Sequence, residues 1–216
     1  MYKAFIFDLD GTLTDTLESL TFSVNATLEE LGLEKITQEQ CRAFVGNGAR
    51  VLIERSLEAT GDETSSMLEK AMEIYGRIFK EHCTYKVAPY DGVTEMLKAL
   101  KSRGMKLAVL SNKPHLQTKD VVQTFFGTEL FDEVQGQEDG KARKPDPKAL
   151  YEVLERLQVD QKECVYVGDS EVDMMTGKAA GALTVGVTWG FRTKDVLQEY
   201  GADHMVDDAE QLVTLI

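Results

Sequence analysis

Short, largely apolar runs alternate along the chain with longer segments in which apolar residues recur every three or four positions. The runs are Ala4–Phe7, Leu107–Leu110, Cys164–Val167 and Leu183–Val187. Their brevity, β-branched content and polar ends predict strands buried on both faces of a parallel sheet. Between them, Val93–Lys101 sets Met96, Leu97 and Leu100 on one helical face. Pro147–Leu157 begins with Pro near its first turn and carries Leu150, Val153, Leu154 and Leu157. This β-α-β-α alternation predicts an α/β fold, a doubly wound (Rossmann-like) parallel sheet with helices on both faces.

One stretch breaks the alternation. From about Thr16 to Cys83 there is no convincing strand and much helical period. Leu17–Leu31 reads as a helix ending at Gly32. Thr37–Phe44, Ala49–Glu58 and Glu63–Lys80 read likewise. The expectation is an inserted helical cap domain over residues 16–84, with a core made of residues 1–15 and 85–216. Hinges are expected near Leu13–Thr16 and Tyr85–Pro89. No internal repeat and no low-complexity segment interrupts this plan.

Composition narrows the picture. The 216 residues are 43% hydrophobic, enough for a sizeable core. The formal net charge of -13 sets the surface against nucleic acid and anionic lipid, so neither is an expected partner. Any bound phosphate must then be held by local cations, amides or a metal. Cys41, Cys83 and Cys164 are odd in number and show no CxxC spacing, which argues against a disulfide framework or zinc site and fits a reducing, cytoplasmic setting. Asp8 and Asp10 interrupt the only early apolar run, so neither a signal peptide nor a membrane span is expected.

The first candidate chemistry follows the first strand: Asp8-Leu9-Asp10-Gly11-Thr12. Residues two apart in extended backbone share a face and lie roughly 6–7 Å apart. Both carboxylates therefore project from the carboxyl end of the strand, the edge at which open α/β sheets bind ligands. Two like charges there call for a cation or a shared proton. An Asx turn is the competing reading, since Asp-Gly is common in turns.

Three more strand ends carry polar groups. Leu107–Leu110 leads into Ser111-Asn112-Lys113, where a hydroxyl and free amides make a phosphate cradle, or Ser111 or Asn112 caps a helix near Pro114. Lys144, in Lys141-Ala142-Arg143-Lys144-Pro145, is a fixed cation or one lysine of a solvated basic loop. Cys164–Val167 leads into Gly168-Asp169-Ser170-Glu171-Val172-Asp173. Asp169 and Asp173 stand about one helical turn apart there. Their oxygens suit a hard cation such as Mg²⁺, while Asp in a first helical turn also favours the helix dipole.

Four sites at four strand ends, in the order carboxylate pair, hydroxyl, lysine, carboxylate pair, resemble the haloacid dehalogenase superfamily of phosphatases over the whole chain. The resemblance implies that Asp8 attacks phosphorus to form an aspartyl-phosphate. Asp10 would protonate the leaving alcohol and later activate water. Mg²⁺ would be held by the Asp8 carboxylate, the Asp10 carbonyl and Asp169. Ser111, Asn112 and Lys144 would bind phosphate, with Thr12 in support and Asp173 orienting Lys144 or a metal-bound water. Dehalogenases of this fold lack an acid/base Asp at the position of Asp10, so its presence implies phosphoryl transfer.

The helical insert carries the substrate hint. Phe44-Val45-Gly46-Asn47-Gly48-Ala49-Arg50 resembles the cap loop of bacterial phosphoglycolate phosphatases, and Thr188-Trp189-Gly190-Phe191 also resembles a loop common in that family. Gly46, Asn47 and Arg50 are the candidate substrate contacts, with Arg50 able to pair with a substrate carboxylate. A plain helix–helix turn and a solvated Arg remain open. The expectation is hydrolysis of a small phosphate ester, phosphoglycolate first, by a monomer or weak homodimer. A sugar-phosphate phosphatase, a pyrophosphatase and a β-phosphoglucomutase-like phosphotransferase share the same motifs. A phospho-accepting signalling module shares clustered Asp, Ser or Thr, Lys and Mg²⁺, but it lacks the helical insert and an acid/base Asp10. No GxxxxGK[ST] supports a P-loop kinase. His82, His115 and His204 show no ligand spacing.

Overall fold

The computed structural model describes residues 2–215. In chain order the elements begin with β1 (Ala4–Phe7), β2 (Thr14–Asp15), α1 (Leu17–Glu30), α2 (Gln38–Phe44), α3 (Ala49–Ala59), α4 (Leu68–His82), β3 (Ala88–Pro89) and α5 (Val93–Ser102). They continue with β4 (Lys106–Pro114), α6 (His115–Phe126), β5 (Glu133–Gln137), α7 (Lys148–Leu157), β6 (Cys164–Gly168), α8 (Glu171–Ala180), β7 (Leu183–Val187), α9 (Lys194–Glu199), β8 (His204–Val206) and α10 (Glu210–Val213). Among the described residues, no helix is long and apolar enough to cross a membrane.

Two compact units emerge. One runs through Asp15 and resumes at Ala88; the other is Thr16–Val87. The break falls three residues later than the expected 84/85, because 85–87 belong with the helices. The Tyr85 ring lies 4.8 Å from that of Phe22, and Lys86 pairs with Glu18 of α1 at 2.8 Å.

In the first unit six strands form one sheet in the order β5-β4-β1-β6-β7-β8. Every pairing in it is parallel. The chain fills the sheet outward from β1 to β5 and then returns to β6 on β1's other side. This reversal makes the carboxyl ends of β1, β4 and β6 a topological switch point, where α/β sheets form a crevice. All four residues of β1 are fully buried, which explains its unbroken apolar run. Ala4 and Ile6 pack with Ala108, Leu110 and Tyr166 against Leu150, Val153 and Leu157 of α7. Phe5 and Phe7 alternate to the other face and stack on each other at 6.1 Å.

The helical unit follows its apolar spacing. Leu17, Leu20, Val24 and Leu28 line the buried side of α1, where the Ser23 and Thr27 hydroxyls return hydrogen bonds to the carbonyls of Ser19 and Ser23. The fourth helix starts at Leu68 and not at Glu63. The carboxylate of Asp62 accepts from the Ser66 and Met67 amides and holds the intervening residues in a non-helical turn. All three cysteines are buried and free, and burial alone pushes the Cys164 thiol up to about 12, so it acts as a core residue.

Candidate active site

The site is built on strand ends of the α/β unit. Asp8 is the first residue beyond β1, and its amide donates to Val167 O of the neighbouring β6 at 2.9 Å. Asp169 is the first residue beyond β6. In this register Asp8 stands opposite Gly168 and Asp169 one residue further on, and their carboxylate oxygens lie within 4.8 Å of one another. Asp173 comes from the first turn of α8. The Ser170 hydroxyl accepts from the Asp173 amide, and Asp173 Oδ2 accepts from the Ser170 amide in return, a capping box with Asp in the third position. The helix cap and the functional group are therefore the same residue, and neither reading of the sequence excludes the other.

Ser111, Asn112 and Lys113 reach the site by an irregularity in β4. Leu110 pairs with Gln135 but Pro114 pairs with Gln137, so β4 spends two more residues than β5 over this interval. Such a bulge re-aims side chains at a sheet end. No side chain caps α6, whose N-cap is Pro114, so the capping alternative for Ser111 and Asn112 is not the one realised. The Asn112 side chain instead clamps Lys144. Its Nδ2 donates to Lys144 O and its Oδ1 accepts from Lys144 N, both at 3.0 Å. These two bonds tie the Asn112 side chain to the backbone of Lys144. The Ser111 hydroxyl is buried and accepts from the Lys113 amide at 3.3 Å.

Lys144 is only 2% exposed. Its ammonium lies 2.7 Å from Asp173 Oδ1 and 2.9 Å from Asp8 Oδ1. Burial works against its charge, but the carboxylates of Asp173 and Asp8 outweigh that and hold its pKa well above the usual lysine value. Tyr166 donates its hydroxyl to Asp173 Oδ1 at 3.1 Å, and the Ser170 hydroxyl donates to Oδ2 at 2.6 Å. Asp173 therefore has every oxygen engaged and serves as an anchor for Lys144. Tyr166 hides in an apolar strand run and reads from sequence as core. Burial, opposed by Lys144 and reinforced by the carboxylates of Asp173 and Asp8, holds its phenol well above the usual value, protonated and donating.

Asp169 is bracketed differently. Thr12 Oγ1 donates to its Oδ1 at 3.0 Å and the Phe191 amide to its Oδ2 at 2.7 Å. Trp189 Nε1 donates to Thr12 O at 3.0 Å, which ties the loop after β7 to the turn after β1. Gly11 has φ +86, and a Cβ there would run into the Asp169 carboxylate. A Cβ at Gly190 would strike the same residue and Gly11 O. The Thr188–Phe191 loop is thus part of this site.

Asp8, Asp169 and Asp173 have carboxylate oxygens within 4.8 Å of one another. When all three are ionised, the one ammonium of Lys144 leaves two negative charges in the cluster uncompensated. Burial, then Lys144 opposing it, then Asp173 sets the Asp8 carboxyl, pushed up to about 7. Asp169 is raised well above its ordinary value by burial and then by Asp173 and Asp8. Asp8 Oδ1 is buried and faces the Lys144 ammonium at 2.9 Å. An all-oxygen, doubly negative cluster fits a small hard dication.

The Asp10 carboxylate is not in this cluster. It pairs with Lys113, whose Nζ lies 2.9 Å from Oδ1 and 3.3 Å from Oδ2. Sequence reasoning passed over Lys113; the signal was a lysine directly after a candidate cradle. The remaining candidates, Gly46, Asn47 and Arg50, lie in the helical unit at the α2–α3 connection and the start of α3. Arg50 is exposed and ion-paired with Glu69 of α4.

Residues 5–187 match the model of a family described as haloacid dehalogenase-like hydrolase. A phosphoglycolate phosphatase from Haemophilus influenzae (strain 86-028NP) is 34% identical over 220 residues, covering 100% of this chain and 98% of that protein. One from Colwellia psychrerythraea is 32% identical over 98% of this chain and 95% of the relative. The crystal structure of a protein described as a predicted phosphoglycolate phosphatase from Haemophilus somnus 129pt superposes with a TM-score of 0.92 at 28% identity. It covers 99% of this chain and 97% of its own.

Proposed function

The chain belongs to the haloacid dehalogenase-like hydrolases, and from that membership we propose that it is a Mg²⁺-dependent phosphatase that hydrolyses phosphoglycolate through an aspartyl-phosphate on Asp8. One observation carries the reading: a buried carboxylate at the carboxyl end of β1 faces the buried ammonium of Lys144 at 2.9 Å and lies within 4.8 Å of the carboxylates of Asp169 and Asp173. Such a carboxylate is available to attack phosphorus.

The residues divide the work. Asp8 attacks, and its carboxylate receives the phosphoryl group. Asp10, two residues on, gives its proton to the departing alkoxide and later takes one from the attacking water. Lys144, fixed by Asp173 and by the Asn112 clamp, meets the charge of the transferring oxygens. Ser111 and neighbouring amides hold the other oxygens. Asp8, Asp169 and the Asp10 carbonyl would hold Mg²⁺, while the oxygens of Asp173 are engaged by Lys144, Tyr166 and Ser170. Mg²⁺ supplies charge neutralisation between the nucleophile and the phosphate dianion.

Phosphoglycolate as substrate is supported by the names of full-length relatives at 34% and 32% identity. A free carboxylate on the substrate also suits Arg50, which already holds a carboxylate in Glu69. Three free thiols suit a cytoplasmic enzyme. The test is phosphate release with Mg²⁺ from a panel holding phosphoglycolate, hexose phosphates, pyrophosphate and p-nitrophenyl phosphate. The highest kcat/KM is expected on phosphoglycolate, with loss of activity in EDTA. A higher value on a hexose phosphate or pyrophosphate would replace the substrate and leave the chemistry in place. No release from any ester would overturn the phosphatase reading.

A further inference from the structure

We propose that Lys113 is a positioning residue for Asp10: its ammonium grips both carboxylate oxygens and keeps that acid–base group within the site. The proposal rests on the reading of Asp10 as proton donor and acceptor.

The geometry is particular. The Lys113 side chain is 1% exposed, and its Nζ reaches Oδ1 of Asp10 at 2.9 Å and Oδ2 at 3.3 Å. Asp10 itself is 13% exposed at the side chain, so it stands at the rim of the site with a path outward. Asp8, Asp169 and Asp173 form a concentration of negative charge just inside that rim. Like charge pushes a carboxylate away, and on repulsion alone Asp10 would turn to solvent. Lys144 does not oppose this, because its ion pairs are with Asp8 and Asp173. A second buried cation answers the push, delivered by the irregular end of β4 that carries Ser111 and Asn112. Each of the two acids given a chemical role thus faces a buried lysine, Lys144 for Asp8 and Lys113 for Asp10.

A positioning role has a signature that mere structural support lacks. An alkyl leaving group needs a proton as it departs, whereas p-nitrophenolate leaves without one. Attack of water on the aspartyl-phosphate needs Asp10 with either ester. Lys113→Met should therefore lower kcat on the best alkyl ester of the panel by on the order of a hundredfold, the loss that a misplacement of about 1 Å brings. KM should stay near the wild-type value. With p-nitrophenyl phosphate the same variant should show a fast burst of nitrophenolate and then a slow steady state. Lys113→Arg should recover part of the rate. The Asp10→Asn/Lys113→Met double variant leaves no buried ammonium or rim carboxylate of this pair behind. Its kcat should equal that of Asp10→Asn alone, since Lys113 acts through Asp10.

A nitrophenolate burst slowed as much as turnover of the alkyl ester, a raised KM on every ester without a burst, or a further fall in the double variant would overturn the proposal. The single Asp10→Asn variant separates the two levels. Wild-type turnover in Asp10→Asn would remove the acid–base reading itself. An impaired Asp10→Asn beside an unimpaired Lys113→Met would remove only the role of Lys113. If Lys113→Met does not fold, the double variant and Lys113→Arg carry the test.

Discussion

Lys144 in the α/β unit and Arg50 in the helical unit are both cations paired with carboxylates. The Lys144 side chain is 2% exposed and is shared between Asp8 and Asp173; that of Arg50 is 52% exposed and its partner Glu69 is 81% exposed. Water screens the second pair and offers each member an equivalent partner at little cost. In the first cluster nothing replaces a missing partner, and three carboxylates face one ammonium. Such a cluster persists in a folded core only because the surrounding structure holds it, and its uncompensated charge points to a ligand. The Arg50 pair asks for no such explanation. The proposed chemistry draws on buried charge in the α/β unit, while the substrate contact proposed for Arg50 draws on an exposed pair in the helical unit.

Breaking the buried cluster should have the largest effects. Asp8→Asn should reduce phosphate release below detection, and Asp10→Asn should slow it by about 10²–10⁴-fold, the usual worth of general acid–base catalysis. Lys144→Met should abolish turnover and also cost about 3–5 kcal/mol of stability in denaturant melts, because Asp8 and Asp173 are left buried without their cation. A Lys144→Met protein as stable as wild type would mean that the cluster is not under the electrostatic load described.

A smaller effect runs the other way. In EDTA, Asp8→Asn should melt at a higher temperature than wild type, since it removes one uncompensated charge. The sign with pH follows from the raised Asp8 carboxyl, held at about 7 against 3.8 when unfolded. Between these values the folded protein binds the proton more tightly, so wild-type stability declines as pH rises. The gap between the two proteins should open above about pH 4 and level off near pH 7. Mg²⁺ should raise the wild-type melting temperature, and Asp169→Asn should remove that response. The smallest effect belongs to the exposed pair. Arg50→Ala should leave the melting temperature unchanged and raise KM for phosphoglycolate, but not for p-nitrophenyl phosphate. An unchanged KM for phosphoglycolate would leave Arg50 as a surface residue.

The same contrast explains what could be read from sequence. β1 and β6 are legible because both faces are buried, which forces continuous apolar runs; β5 and β8 lie at the sheet edges, are only partly buried and carry Glu133, Gln135 and His204 in place of such runs. Asp8 and Asp169 were legible because each immediately follows a strand. Lys113 and Tyr166 were not. The first depends on two additional residues in β4 that no local pattern signals, and the second is an aromatic residue within an apolar strand whose hydroxyl alone carries the function. Helical periodicity extends α4 back to Glu63, but Asp62 binds the Ser66 and Met67 amides and delays the helix to Leu68.

Asp8, as the nucleophile, can be trapped directly. The direct measurement is to mix enzyme, Mg²⁺ and the best ester of the panel, quench in acid within a turnover, and reduce with borohydride, which converts an acyl-phosphorylated aspartate to homoserine. Peptide mass spectrometry should find homoserine at position 8 and at no other aspartate, and none in enzyme quenched without ester. Homoserine at another aspartate, or none at all while the enzyme is turning over, would contradict the account.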